Sequence, residues 1–426
     1  MNAPERRARQ GWMPDSRSGI VTFLLVSLTA MGPITTDLYL PSLPSITGAL
    51  DTDVATAQLT LSVFMVGFAL SQIVYGPLSD RFGRRPMVLA GFSLYTLASL
   101  ACSYAWNIET LIVARFFQAV GGCCGVVIAR AAVRDIYGPT ESARILAWLG
   151  AAMGLAPAIA PVIGGVIEKF YGWTANFLAL TVYGGATVLL AFVVFAETNR
   201  HKDPTALNPA AMARNFGALA SARRFVGYTL TNTFIFASLF TFISGSAFVF
   251  IEGYGIPPED FWIYFSACPL GYTAGSLVAA KLSRRVGADN LILGGAIFGM
   301  LNCLAGLAVM AWMSDGAAIV AIAAIGVFAA VGIVMPNSIA SAIAPYPKMA
   351  GAASSLLGLV QMSAGALAAY LAGALFDGTA WPMMLQLTAT TLAGLLVYVV
   401  LIRARGLSRM QAVPGAGPAG QGPDPA

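Results

Sequence analysis

The sequence predicts an all-α polytopic membrane protein, with twelve transmembrane helices in two pseudo-symmetric six-helix bundles. Three observations carry this. The chain is 58% hydrophobic and only 10% charged, with a mean hydropathy of +0.75, against roughly 45–50% apolar content in an ordinary soluble domain. Apolar runs of about 20 residues, the helix length that crosses roughly 30 Å of hydrocarbon, recur along the whole chain. The few charges cluster in the breaks between those runs.

In order, the runs place spans at 20–43, 54–78, 87–105, 109–133, 143–167, 174–196, 225–251, 261–282, 288–312, 316–338, 349–375 and 381–402. The polar opening 1–19 leads into a first span that is longer than a signal-peptide core and lacks a small-residue cleavage site, so it is expected to be retained. Residues 20–196 form the N-terminal bundle and 225–402 the C-terminal bundle. The stretch 197–224 between them reads as a linker with a short surface helix. The Pro/Gly-rich tail 403–426 is expected to be disordered.

Of 24 Lys and Arg residues, Arg115 and Arg130 fall within span 4 and only Lys169 falls on the side away from the N-terminus. By the positive-inside rule both termini and the linker are cytoplasmic. The other side carries acids instead, among them Asp51, Asp53, Glu109, Glu168, Glu259, Asp260 and Asp377. The five cysteines, Cys102, Cys123, Cys124, Cys268 and Cys303, are odd in number and lie inside apolar runs. They read as small buried residues, with neither a disulfide framework nor a metal site expected.

An internal repeat supports two halves. At an offset of 204 residues, PLSDRFGRRPMVLAG from Pro77 matches KLSRRVGADNLILGG from Lys281, pairing Leu78 with Leu282, Ser79 with Ser283, Arg81 with Arg285, Gly83 with Gly287, Leu89 with Leu293 and Gly91 with Gly295. Parallel six-helix halves with a site between them near mid-membrane are a transporter architecture. In the second copy Arg284 stands in place of Asp80, so the acid is lost there.

Ionisable side chains at membrane depth are functional candidates. Asp37 lies about six residues from the outer end of span 1, and Arg115 about six from the outer end of span 4. At matching depth each is expected to pair with the other, a proton-coupling pair for which cargo competes. Pro33 and Pro41 would bend the helix around Asp37. Gln118, one turn from Arg115, is expected to orient it or to bond cargo. Arg130 and Arg134 sit near the cytoplasmic end of span 4, beside Asp135. Tyr39, Phe64, Met153, Phe234 and Phe248 are candidates to line an apolar pocket. Span 5 contains Pro157, Pro161, Gly164 and Gly165, residues expected to kink it and allow close contact.

These motifs resemble the major facilitator superfamily over nearly the whole run of helices. Gly76, Leu78, Asp80, Arg81, Gly83, Arg84 and Arg85 match its loop 2–3 motif G-x-L-x-D-R-x-G-R-R. The resemblance implies a cytoplasmic gate made by these residues with Arg134 and Asp135, Asp80 sitting against a helix N-terminus of the other half. Span 5 is similar to the antiporter motif G-x-x-x-G-P-x-x-G-G, with Ala160 in place of the glycine before Pro161. The stretches TTDLYLPSLP, GPLSDRFGRRP, ARAAVRDIYGP, SAFVFIEGYGIPPEDFWIYF and PYPKMAGAASSLLG resemble the bicyclomycin and chloramphenicol resistance (Bcr/CflA) subfamily. That implies a multi-pass protein of the bacterial inner membrane exporting small apolar drugs or antibiotics in exchange for protons. It implies that Asp37 and Arg115 couple the proton and bind drug, that the proton gradient replaces any cofactor, that lipid and no nucleic acid surround it, and that it works as a monomer.

An alternative in the same fold is transport of an endogenous metabolite, such as a sugar or amino acid derivative. An enzyme is disfavoured. The only histidine, His201, lies in the linker, and no nucleophile–base or metal-ligand grouping appears.

Overall fold

The computed structural model describes residues 17–199, 202–204, 207–312 and 316–404. The opening segment up to residue 16, His201, and the tail beyond residue 404 lie outside these. Among the described residues there are helices and no strands. The spans are α1 (Gly19–Ala49), α2 (Val54–Phe82), α3 (Arg84–Ser103), α4 (Ile108–Tyr137), α5 (Arg144–Tyr171), α6 (Trp173–Val194), α7 (Arg223–Gly253), α8 (Phe261–Phe265 with Cys268–Val286), α9 (Ala288–Trp312), α10 (Ala317–Ile343), α11 (Ala350–Ala374) and α12 (Trp381–Arg403). A linker helix covers Pro209–Ser221.

Eleven of the twelve are long and apolar enough to cross a membrane, and α8 is the exception. The break after Phe265 separates its apolar start from the Cys268–Val286 piece, which carries Lys281, Arg284 and Arg285 near its end. A Cβ at Gly271 or Gly275 would strike the backbone carbonyls of Ile325 or Ala329, so α8 lies directly on α10 through small residues rather than large apolar ones.

Local chemistry sets the ends of the helices. Asp53 caps α2 by accepting from the Thr56 amide at 2.8 Å, and that bond, with the Thr56 hydroxyl, holds its carboxyl below the usual range. Asn107 caps α4 in the same way through the Thr110 amide, also at 2.8 Å. The two repeat copies share a backbone requirement. Gly83 (φ 109°) and Gly287 (φ 79°) each form the single-residue joint between two helices, where a side chain would be strained.

Two elements differ from the sequence expectation. Span 1 does not end at residue 43. It runs Gly19–Asp37, a tight Leu40–Ser42 turn and then Leu43–Ala49, because prolines 41 and 44 each sit in the first turn of a new helical piece, where a missing N–H costs nothing. Spans 4 and 5 are joined without a break, as one helical run Ile108–Tyr171. That run still doubles back. Ser142 Oγ donates to Val133 O at 3.3 Å, although nine positions of straight helix would separate them by about 13 Å.

The helices pack as two groups. In the first, α4 contacts α1, α2 and α3, and α6 lies on α3. In the second, α7 contacts α10, α11 and α12, with α8 and α9 on α10. The groups meet chiefly where α2 lies on α11 and α5 on α8. Leu97, Val182, Leu189, Leu301 and Ile322 face outward, and Tyr104, Trp106, Tyr171 and Trp312 stand exposed at helix ends, the arrangement of a lipid belt with interfacial aromatics.

The face carrying the α2–α3 joint and the linker is the basic face. On the opposite face the groups are in tight contact. Gln58 Nε2 donates to Ser244 O at 2.6 Å, Ser266 Oγ to Ala158 O at 2.7 Å, and Lys169 Nζ lies 3.0 Å from Glu259 Oε1. Toward the basic face a Cβ added at Gly76, Gly150, Gly154 or Gly351 would meet nothing within 4 Å. Among the described residues these bonds between the halves lie on the opposite face, and no hydrogen bond or ion pair joins the halves at the basic one.

Candidate functional site

Asp37 is the last residue of the first helical piece of α1, where Pro41 leaves the Asp37 carbonyl without its usual helical partner. Its side chain is 1% exposed and accepts one hydrogen bond, from Thr36 Oγ1 at 2.9 Å. The expected ion pair with Arg115 is not formed. The extension of α1 to Ala49 also puts Asp37 about twelve residues from the outer end, not six.

Arg115 is fully buried on α4. Its guanidinium carbon lies 4.3 Å from the ring centroids of both Tyr39 and Phe64, and 5.9 Å from that of Phe177. Nη1 donates to Gln118 Oε1 at 2.6 Å and to Thr35 O at 3.4 Å, and Nε to Thr60 O at 3.3 Å. Nη2 has no partner among the described residues. Aromatic faces and carbonyls thus replace the carboxylate that the sequence reading assigned as counter-charge.

A chain of hydrogen bonds supports this arginine from behind. Gln118 Nε2 donates to Ser99 Oγ at 2.8 Å, Ser99 Oγ to Tyr95 O at 2.7 Å, and the Tyr95 and Thr35 hydroxyls lie 2.7 Å apart. Gln118 therefore orients Arg115, and α3 ties α4 to α1 two residues before Asp37. Ser99, Tyr95, Thr60 and Phe177 escaped the sequence reading. Each belongs to a different helix from Arg115, and a hydroxyl or an aromatic ring in an apolar span is too common to single out.

The structure brings Asp37, Tyr39, Phe64, Arg115 and Gln118 into one region of the first half. The remaining candidates lie elsewhere. Met153 is half-buried on α5 beside the open Gly154. Phe234 packs toward Gly394 of α12, and Phe248 lies 5.9 Å from the Phe376 ring near the opposite face.

On the basic face, Arg84 is the centre of a clamp within the first half. Nη1 meets Asp80 Oδ1 at 2.6 Å and Nε meets Asp135 Oδ2 at 3.0 Å. Glu197, from the start of the linker, accepts from the Arg84 amide at 2.9 Å and the Arg85 amide at 3.3 Å. It thereby caps α3 with a negative charge. Lys202 donates to Phe82 O at 2.7 Å and Asn199 to Asp80 O at 2.9 Å. Arg85 also bonds Phe192 O at 2.8 Å. Arg81, Arg130 and Arg134 are exposed. Among the described residues Asp80 pairs with Arg84 of its own half and does not reach a helix of the other half. Gly76 has no close neighbour here. Glu197 was missed because it is more than a hundred residues from the amides it caps.

In the second half, where Arg284 replaces the acid, Asp289 of α9 ties α7 and α12 to the start of α9. It accepts from Tyr228 OH at 2.6 Å, and its carbonyl accepts from Tyr398 OH at 2.7 Å.

On α5 the helix continues through Pro157 and Pro161, and the paired glycines serve as contact points. A Cβ at Gly164 would strike Leu38 O of α1, next to Asp37, and one at Gly165 would lie 2.6 Å from Pro258 O of the other half. Asn176 Nδ2 reaches Ser42 Oγ at 2.8 Å, and Glu168 accepts from Ser42 and Ser45. This fastens α5 and α6 to the broken end of α1.

A family model for the Major Facilitator Superfamily matches residues 23–369. The chain is 30% identical over 404 residues to a bicyclomycin resistance protein homolog of Haemophilus influenzae, covering 92% of this chain and 100% of that protein. It is 36% identical over 179 residues to a chloramphenicol resistance protein of Pseudomonas aeruginosa, 42% of this chain and 43% of that one. Among solved structures it resembles a peptide transporter POT with a TM-score of 0.73 at 15% identity, over 94% of this chain and 98% of the other. That likeness concerns the fold.

Proposed function

The chain belongs to the Major Facilitator Superfamily and, within it, to the bicyclomycin and chloramphenicol resistance subfamily of transporters; from that premise we propose that it exports small apolar drugs from the cytoplasm in exchange for protons. The observation that carries the reading is the state of Asp37. A buried carboxyl group with a single hydroxyl for company is costly to keep charged. Uptake of a proton relieves that cost, and so does a cargo that brings its own positive or donating group. The two therefore compete.

Arg115 contributes through the vacant Nη2 donor and the aromatic walls that flank it. Tyr39 and Phe64 offer apolar surface to cargo, and the unfilled donor offers one oriented hydrogen bond. With the halves joined by bonds on the opposite face and, among the described residues, by none on the basic one, cargo enters from the basic face, which the distribution of Lys and Arg makes cytoplasmic. Rocking of the halves then carries Asp37 and its occupant to the other side.

The test is drug flux in proteoliposomes with and without an imposed pH gradient. Wild type is expected to concentrate drug only with the gradient. Asp37→Asn is expected to bind drug yet lose gradient-driven accumulation, while inserting normally. Accumulation by Asp37→Asn at the wild-type rate would move the proton site elsewhere.

A further inference from the structure

The second half holds a buried polar cluster of its own, separate from Asp37 and Arg115. On α7, Thr229, Asn232 and Thr233 are spaced three and four residues apart and so share one face. They are 3%, 0% and 3% exposed. Asn232 Nδ2 donates to Gln361 Oε1 of α11 at 2.7 Å. Asn232 Oδ1 and the hydroxyls of both threonines have no partner among the described residues.

This is not how hydroxyls elsewhere on α7 behave. Thr231 and Thr241 donate to carbonyls of their own helix, at 2.9 and 3.0 Å. Three unpaired polar atoms on one buried face would each carry a desolvation penalty unless something fills the space between them. The face continues one turn on into Phe236, whose ring reaches the Cβ position of Gly365 beside Met65 of α2. The cluster therefore looks toward the junction of the two halves. Asn232 lies about nine residues along α7 from Arg223 and Gln361 about eleven along α11 from Ala350. At 1.5 Å per residue that is roughly mid-membrane.

We propose that Thr229, Asn232, Thr233 and Gln361 form a subsite for an uncharged hydroxyl group of the cargo, facing the Asp37 and Arg115 region from the opposite half. The chemistry selects the group. A carboxamide oxygen needs a donor, and the threonine hydroxyls both donate and accept. A hydroxyl meets all of them at once. A ketone or ether has nothing to donate, an ammonium finds no counter-charge in the cluster, and a carboxylate would oppose Asn232 Oδ1. The inference rests on the export reading and adds a selectivity to it.

The test compares thiamphenicol with florfenicol, which differ in one hydroxyl replaced by fluorine, with tetraphenylphosphonium as a cargo that forms no hydrogen bonds, all in proteoliposomes. Wild type is expected to take thiamphenicol with a KM roughly tenfold lower than that of florfenicol. In Asn232→Leu with Gln361→Met the two KM values should converge, through loss of affinity for thiamphenicol alone, with tetraphenylphosphonium transport unchanged. Thr233→Val, which breaks no bond in the structure, should narrow the ratio about threefold and guards against misfolding of the double variant. An unchanged ratio in Thr233→Val and in a folded double variant overturns the subsite. So does a wild type that carries tetraphenylphosphonium but does not favour thiamphenicol. A wild type that carries none of the three overturns the export reading itself.

Discussion

Gly165→Ala is expected to unseat the closed opposite face. The new methyl group would lie 2.6 Å from Pro258 O and 3.3 Å from Glu259 Cα, both backbone atoms of the other half that cannot rotate away. Overpacking of this kind costs about 1–3 kcal/mol. The strain exists only when the halves meet, so the whole of it acts on the conformational balance. At about 2 kcal/mol the ratio of closed to open falls about thirtyfold. The half-exposed Lys169–Glu259 pair is too solvated to restore it. The assay is a distance distribution between spin labels at Tyr171→Cys and Trp312→Cys, two exposed positions of opposite halves, in lipid nanodiscs. Gly165→Ala should populate a longer distance that is minor in wild type. Its neighbour is the control, because a Cβ at Gly164 would strike Leu38 O within the same half. Gly164→Ala should leave the label distance alone and impair transport by displacing the chain beside Asp37. If Gly165→Ala gives the wild-type distribution, or both variants give the same shift, the account of closure is refuted.

Arg115→Lys keeps the charge but loses the flat guanidinium stacked between Tyr39 and Phe64 and the short bond to Gln118. A tenfold or larger fall in kcat/KM for drug efflux, with unchanged membrane insertion, is the expected result. Glu197→Ala removes the cap from two amides at the start of α3, so thermal stability in detergent should fall by about 1 kcal/mol while drug KM holds. A pure affinity defect would contradict its structural role. Glu259 is held below the usual carboxylate range by its own backbone amide and by Lys169. A depressed carboxyl contributes fully above its free value, near 4.3, and loses its contribution as pH falls through the lower, paired one. Because that pair is too solvated to hold the face closed, Glu259→Gln should give the wild-type label distance at pH 7, where the pair is fully formed, and in stronger acid, where it is lost. A longer distance in Glu259→Gln at pH 7 would show that the ion pair, rather than the contact at Gly165, holds this face closed.

Much of this molecule was legible along the chain. The spans follow from apolar length, and the turns at Gly83 and Gly287 from a repeat whose backbone demands glycine. Asp37 and Arg115 stand out because charge is so rare at membrane depth. What the reading missed was pairing. Matching depth assigned Asp37 to Arg115, yet the arginine is answered by π-faces, carbonyls and Gln118. Counting charges in a loop gave the basic face its role, yet Glu197, Asn199 and Lys202 hold the α2–α3 joint from beyond four further spans. Buried amides such as Gln58, Asn232 and Gln361 were the available signal for contacts between and within the halves.

By itself, then, the sequence determined which segments cross the lipid, how the two halves repeat and which ionisable groups are buried among them. These depend on hydrophobicity and backbone allowance, which are properties of a residue and its near neighbours. Only the tertiary structure decided that Asp37 stands apart from Arg115, that Gly165 meets the other half while Gly164 meets its own, and that the opposite face is the closed one. Each of those is settled by a few ångströms between residues far apart in the chain, a distance that helix packing sets and composition does not encode.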